Sequence, residues 1–173
     1  YQYAAAAVSG IDNEEKDWLG IHSTRLNAHL LRTIFKPWAN PKIVSDFEDD
    51  VDFKENILIG AGWKPGCSTD YDAVHIAEKY KSNTIINLSN IDYVYSEDPK
   101  LNPIAKKYEN LSWKEFRGIV GDVWDPGMST PFDPIASKEA EKANLRVAIM
   151  NGKDLNNLNN FLDGKKFNGT LIK

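Results

Sequence analysis

Ile57-Leu-Ile-Gly-Ala-Gly-Trp-Lys-Pro-Gly-Cys-Ser-Thr-Asp70 is the stretch on which the reading of the fold turns. Its apolar run breaks at Gly60 into a loop punctuated by Gly62 and Gly66. The loop ends in three consecutive helix-capping types, Ser68, Thr69 and Asp70. A strand therefore feeds a loop whose exit starts a helix, with amide N–H groups turned back over the strand's end. Unpaired amides and the helix dipole both favour negative charge at such a corner, so a phosphate-bearing ligand is expected there.

Downstream, residues 70–80 carry Ala73, Ile76, Ala77 and Tyr80 at i, i+3, i+4 and i+7, which predicts an amphipathic helix. The β-branched run 84–88 predicts the next buried strand. Strand, helix and strand with short connections predict a right-handed βαβ unit and a parallel sheet. Upstream, the Ala-rich residues 1–9 read as the end of a helix stopped at Gly10. A second helix is expected from Ser23 or Thr24, with Leu26, Leu30 and Ile34 on one face and Pro37 and Pro41 bracketing its end. The acidic run 46–52 reads as a solvated face; it lacks the central glycine of a calcium loop.

Toward the C-terminus, Ser112-Trp-Lys-Glu115 has capping-box form and should open a helix through Val120. A Gly/Pro-rich loop over 121–131 precedes a helix from about Pro134 with Ala136, Ala140 and Ala143 on one stripe. A strand over 146–150, a helix over 155–162 and a strand over 169–172 close the chain. The fold class is α/β with a mainly parallel sheet.

At 173 residues the chain fits one domain with a core of its own. A net charge of −4 without a basic stripe argues against nucleic acid as the main partner. Cys67 is the only cysteine, which excludes an internal disulfide and suggests a reducing cytosol. No apolar run reaches the ~20 residues that span a bilayer. The start has no basic n-region and no Met, so the chain is read as a piece whose N-terminal part is absent.

Ligands in parallel sheets gather outside the carboxyl ends of strands. The loops over 60–69, 89–98 and 151–154 are the candidates. In the first, Lys64 with the Ser68 and Thr69 hydroxyls could grip a phosphate, while simple capping would also account for the hydroxyls. In the second, Tyr95 could flank a base and Asp98 could bind a ribose hydroxyl or orient a metal; a hairpin-like excursion with Tyr93 and Tyr95 as packing residues is the plainer account. His22, His29 and His75 lack metal-ligand spacing. Cys67 sits near a helix N-terminus, which would lower its pKa, but no histidine is placed to activate it. Asp122 and Asp125 flank a loop from which they could touch a nucleotide-bound metal.

Several segments then combine. Asp17-Trp-Leu-Gly-Ile21, Thr24-Arg-Leu-Asn-Ala28, Pro65-Gly-Cys-Ser-Thr-Asp70, Ser89-Asn-Ile-Asp92 with Tyr95 and Asp98-Pro99, Phe132-Asp-Pro-Ile-Ala-Ser-Lys138 and Asn168-Gly-Thr-Leu-Ile172 occur in this order. Together they resemble the amino-acid-kinase superfamily, most closely its archaeal-type uridylate (UMP) kinases, over essentially the whole chain. The resemblance implies a three-layer α/β/α sandwich forming one domain over 1–173, and transfer of the ATP γ-phosphate to UMP in pyrimidine nucleotide synthesis. It implies that Asp17 binds the UMP ribose and that Trp63, Lys64, Pro65, Gly66, Cys67, Ser68 and Thr69 wrap the uridylate. Ser89, Asn90, Tyr95 and Asp98 would hold the ATP adenosine, and Asp70 would act near the transferring phosphate as the catalytic carboxylate. Mg²⁺ would arrive with ATP, without a metal site of the protein's own. The implied assembly is a homo-oligomer, a hexamer, in the cytoplasm, with no nucleic-acid or membrane partner.

Three departures accompany it. The family's two N-terminal glycine-rich loops, with their phosphate-neutralising lysine, precede the first residue, so the chain by itself is not expected to catalyse. Ser89 replaces a usual threonine. Tyr93 stands where glycine is usual, which implies an altered backbone or a crowded nucleotide. The alternatives are a superfamily kinase with another phosphate acceptor, or a non-catalytic nucleotide-binding or storage protein of the same fold.

Overall fold

Helix α1 spans Asn13–Ile34, starting well before the expected Ser23 or Thr24. Asp12 is the cap: its Oδ1 accepts the Glu15 N–H at 2.9 Å, and Glu14 and Glu15 place negative charge in the first turn. Ser23 and Thr24 lie inside the helix instead, their hydroxyls donating back to the Leu19 and Ile21 carbonyls. These are the coordinates of a computed structural model, which describes residues 4–5, 7, 10–123 and 130–173. The helix expected over 1–9 falls largely outside them, although Ala4, Ala5 and Ala7 are helical. The chain divides into two compact units, residues 1–76 and 77–173.

In the first unit, strands β1 (Ala39–Val44) and β2 (Ile57–Gly60) pair in parallel. No strand is expected from the sequence at β1, which runs through Pro41 and shifts its register between Ala39 and Ile43. Helix α1 lays Ala28 against Ala39, Ile59 and Ala61, flanked by Ile43 and Ile57. The buried residues of α1 are Ile21 and Ala28, on one side of the helix. Leu26, Leu30 and Ile34 share the opposite face and stay 68%, 58% and 58% exposed. The acidic run 46–52 is not wholly solvated either, because Phe47 and Val51 are buried with Val44. Helix α2 (Thr69–Lys79) buries Val74 and Ala77, while Ala73, Ile76 and Tyr80 of the expected stripe are only half-buried.

The second unit is built on a four-stranded sheet in the order β3-β7-β8-β6, comprising β3 (Thr84–Ser89), β6 (Asn110–Leu111), β7 (Arg146–Asn151) and β8 (Thr170–Ile172). Pairs β3–β7 and β6–β8 are parallel, and β7–β8 is antiparallel. The expected βαβ unit does not form: β2 pairs with β1, β3 pairs with β7, and the two strands lie in separate sheets. Val147 through Met150 are fully buried, as a central strand covered on both faces requires.

The expected helices of this half form close to where their caps place them. Helix α3 (Trp113–Val120) opens with the Ser112/Glu115 capping box. Helix α4 (Pro134–Lys142) opens on Asp133, whose Oδ1 accepts two backbone N–H groups, and buries Ala136 and Ala140. Helix α5 spans Leu155–Leu162. Strands β4 (Val94–Tyr95) and β5 (Lys107–Tyr108) form the hairpin-like excursion.

Candidate functional site

The Gly60–Asp70 corner is held by side chains of α1 and of the first turn of α2. Thr24 Oγ1 accepts the Gly62 N–H at 2.8 Å, and Asp72 Oδ2 accepts the Trp63 N–H at 3.3 Å. Asp17 Oδ2 accepts the Gly66 N–H at 3.0 Å. From α1, the Arg25 guanidinium donates to the Gly62 carbonyl at 3.3 Å and to the Trp63 carbonyl at 3.0 Å. A Cβ at Gly62 would sit 2.9 Å from Thr24 Oγ1, so glycine is what lets the loop lie on the helix. Cys67 N–H donates to the Lys64 carbonyl, and Ser68 Oγ accepts the Tyr71 N–H at 3.1 Å as an ordinary cap.

These bonds revise the expectation of free amides. The N–H groups of Gly62, Trp63, Gly66, Cys67 and Tyr71 are already committed, so the corner is not a bare anion nest. What it presents is a hydrogen-bonded loop with Lys64, whose Nζ rests 3.7 Å from the Trp63 ring centroid. The Cys67 thiol is pushed up, first by burial and then by the Asp72 charge, rather than lowered. His75 packs edge-on against Tyr71 at 4.4 Å and Trp63 at 6.4 Å, and His22 stacks on Trp18 at 5.8 Å.

In the second unit, Ser89 and Asn90 stand at the carboxyl end of β3, with Ser89 in register with Asn151 of β7. Tyr95 lies in β4, edge-on to Tyr93 at 6.4 Å. Asp98 makes a turn: its carbonyl accepts from Leu101 and Asn102, and its Oδ1 accepts the Lys100 N–H at 2.9 Å. Tyr93 is outside the left-handed region of the backbone, so a side chain there carries no backbone strain. Its hydroxyl donates to Asn168 Oδ1 at 3.2 Å, and Lys107 Nζ lies 4.4 Å from its ring.

The C-terminal motif fixes this hairpin. Thr170 is fully buried; its Oγ1 accepts the Val94 N–H at 2.8 Å and donates to the Tyr108 carbonyl. The buried Asn157 amide bridges the Asn168 backbone, donating to its carbonyl and accepting from its N–H. Asp122 does not point to a metal role: Arg117 and Lys138 engage it, and the Arg117 guanidinium holds its carboxyl below the usual range. Asp125 lies outside the described residues. Sequence reasoning missed Asp72 altogether. It assigned no anchoring role to Thr24 or Arg25 either, although both stand in a quoted motif.

The fold and these loops define the class. A family model described as the amino acid kinase family matches residues 2–151, and the chain belongs to that family. Within it, the chain is similar to the uridylate kinase of Pyrococcus abyssi, at 35% identity across 91% of this chain and 71% of that protein. The uridylate kinase of Thermococcus sibiricus is also 35% identical, across 99% and 78%. Among solved structures, uridylate kinase from Archaeoglobus fulgidus superposes with a TM-score of 0.82 at 30% identity, covering 100% of this chain and 78% of that one. UMP kinase from Bacillus anthracis, at 24% identity and a TM-score of 0.79, shares the fold, over 100% and 74%. No described helix is long and apolar enough to cross a membrane.

Proposed function

We propose that the chain acts as a uridylate kinase, transferring the ATP γ-phosphoryl group to UMP to give ADP and UDP. One observation carries this reading. Asp17 of α1 and Gly66 of the loop, 49 positions apart, meet at 3.0 Å, so the carboxylate assigned to the ribose and the loop assigned to the uridylate form a single acceptor site. Trp63 through Thr69 wrap the acceptor, with Lys64 as the cation for its phosphate. Ser89, Asn90, Tyr95 and Asp98 hold the donor's adenosine, and Asp70, in the first turn of α2, acts beside the transferring phosphoryl group. Mg²⁺ enters as part of the nucleotide substrate, held by its phosphates. Phosphoryl transfer needs alignment and charge neutralisation rather than a covalent nucleophile, and this collection of a carboxylate, hydroxyls and cations suits it.

The reading is tested on the protein in its full-length native form by ADP release with saturating ATP. UMP should be turned over in strong preference to CMP, carbamate or acetylglutamate. Equal use of another acceptor would overturn the substrate, and nucleotide binding without turnover would favour the non-catalytic alternative.

Both units are taken as parts of one amino-acid-kinase domain working in the cytoplasm, with neither nucleic acid nor membrane as partner. The protein is further proposed to be a homo-oligomer, a hexamer by resemblance. Leu26, Leu30 and Ile34 form an i, i+4 ridge on the exposed face of α1, with Leu31 and Trp38 also exposed. Such ridges pack into the grooves of a second helix, and a self-complementary face suits a twofold contact. Leu30→Glu should therefore reduce the assembly to smaller species in analytical ultracentrifugation; an unchanged mass would remove α1 from the interface.

A further inference from the structure

Asp72 is 4% exposed in the first turn of α2. Its Oδ2 accepts the Trp63 N–H, while its Oδ1 is buried with no hydrogen-bond partner among the described residues. Burial pushes its carboxyl up to about 6, and the Trp63 amide offsets only part of that. A raised carboxyl stabilises the fold in its neutral form. That contribution is complete below the ordinary value of 3.8 and is lost as pH rises through about 6. At neutral pH the ionised group thus works against folding, although an asparagine would accept the same N–H without the charge. A buried charge that opposes stability belongs with function rather than with packing.

The charge bears on Trp63. The Trp63 backbone is clamped between Asp72 at its N–H and Arg25 at its carbonyl, and its indole packs edge-on against Phe47 at 5.6 Å and His75. On that indole rests the Lys64 ammonium. The other titratable or charged groups of this corner are Lys64 and Cys67 on the loop, Asp17 and Arg25 on α1, and Asp70, Tyr71 and His75 on α2 itself.

We propose that Asp72 is a positioning residue for the phosphate acceptor: in its ionised form it fixes Trp63, and through the indole it holds the Lys64 ammonium where the acceptor's phosphate arrives. The inference rests on the reading of 63–69 as the acceptor loop. A charge-assisted hydrogen bond is about twice as strong as a neutral one, and its loss should weaken acceptor binding about tenfold without slowing the bound complex.

The test measures KM for UMP and kcat between pH 5 and 8.5 for the native protein and for Asp72→Asn. The acceptor's own phosphate titrates near pH 6, so the quantity read is the ratio of variant to native KM at each pH. The ratio should be about tenfold at pH 8 and fall to about one at pH 5, where the native carboxyl is also neutral, with kcat nearly unchanged. The variant's thermal midpoint at pH 8 should equal or exceed the native value, which separates this from misfolding. Lys64→Ala should raise KM, and adding Asp72→Asn to it should raise KM no further. A ratio that is flat with pH, or additive effects in the double variant, would overturn the positioning role. If Lys64→Ala leaves KM for UMP unchanged, the acceptor-loop reading itself fails; if it raises KM while Asp72→Asn does not, only this inference fails.

Discussion

Gly169→Ala is expected to destabilise the second unit by about 3 kcal/mol, the upper part of the usual cost of forcing extra atoms into a packed core. A Cβ at Gly169 would sit 2.6 Å from the Ile149 backbone carbonyl oxygen and 2.4 Å from the Phe167 ring. The ring could turn aside, but the carbonyl belongs to β7, where Ile149 pairs with Thr170 of β8. Relief therefore requires the two strands to part at the residue that secures the β4–β5 hairpin. The thermal midpoint should fall by roughly 10 °C for a chain of this size. Gly118→Ala gives the contrast. Gly118 lies on an exposed side of α3 with nothing within 4 Å of an added Cβ, and alanine there should stabilise by up to about 1 kcal/mol. Equal midpoints for the two variants would contradict the close approach at Gly169. The hairpin carries Tyr95, proposed above to hold the donor's adenosine, so KM for ATP should rise in Gly169→Ala at temperatures where the fold survives.

Asp70→Asn is expected to lower kcat about a hundredfold or more while leaving KM for UMP within a few-fold. That is the scale seen when one group acting on developing transition-state charge is removed. Asp70 sits in the first turn of α2, where a negative side chain also gains from the helix dipole. Losing that interaction costs only about 0.3–1 kcal/mol, so the variant should remain folded and its loss of turnover would be chemical. Steady-state kinetics with both substrates varied, alongside a thermal melt, checks this. A large rise in KM for UMP with kcat intact would reassign Asp70 to acceptor binding. The pattern differs from that expected of Asp72, two residues on, where the effect falls on KM and fades at low pH. The pair thus separates chemistry from positioning within a single helical turn.

Features written in short-range chemistry could be read from the sequence. The Ser112/Glu115 box, Asp133 before Pro134 and the 155–162 helix were legible because a cap or an apolar period needs only a few neighbouring residues. The corner at 57–70 was legible as strand, loop and helix for the same reason. The ordered motifs gave the family, which the whole-chain likeness to uridylate kinases supports.

Other features depended on partners distant in the chain. Periodicity put Leu26, Leu30 and Ile34 on one face of α1, but only packing showed that Ala28, on the other face, meets the sheet. Glycines and capping residues announced a loop with amides to spare; the tertiary structure decided that Thr24, Asp17 and Asp72 take them. Strand β2 was expected to pair with the next strand in sequence, and it pairs with β1 instead. Sequence alone thus determined where α3, α4 and α5 begin and which family the chain belongs to, because caps and periods are satisfied within a turn or two of chain. Which face is buried, which strands pair and which side chain receives a given amide were decided only in three dimensions. A hydrogen-bond donor is satisfied by whatever acceptor folding brings within about 3 Å, however far away it lies along the chain.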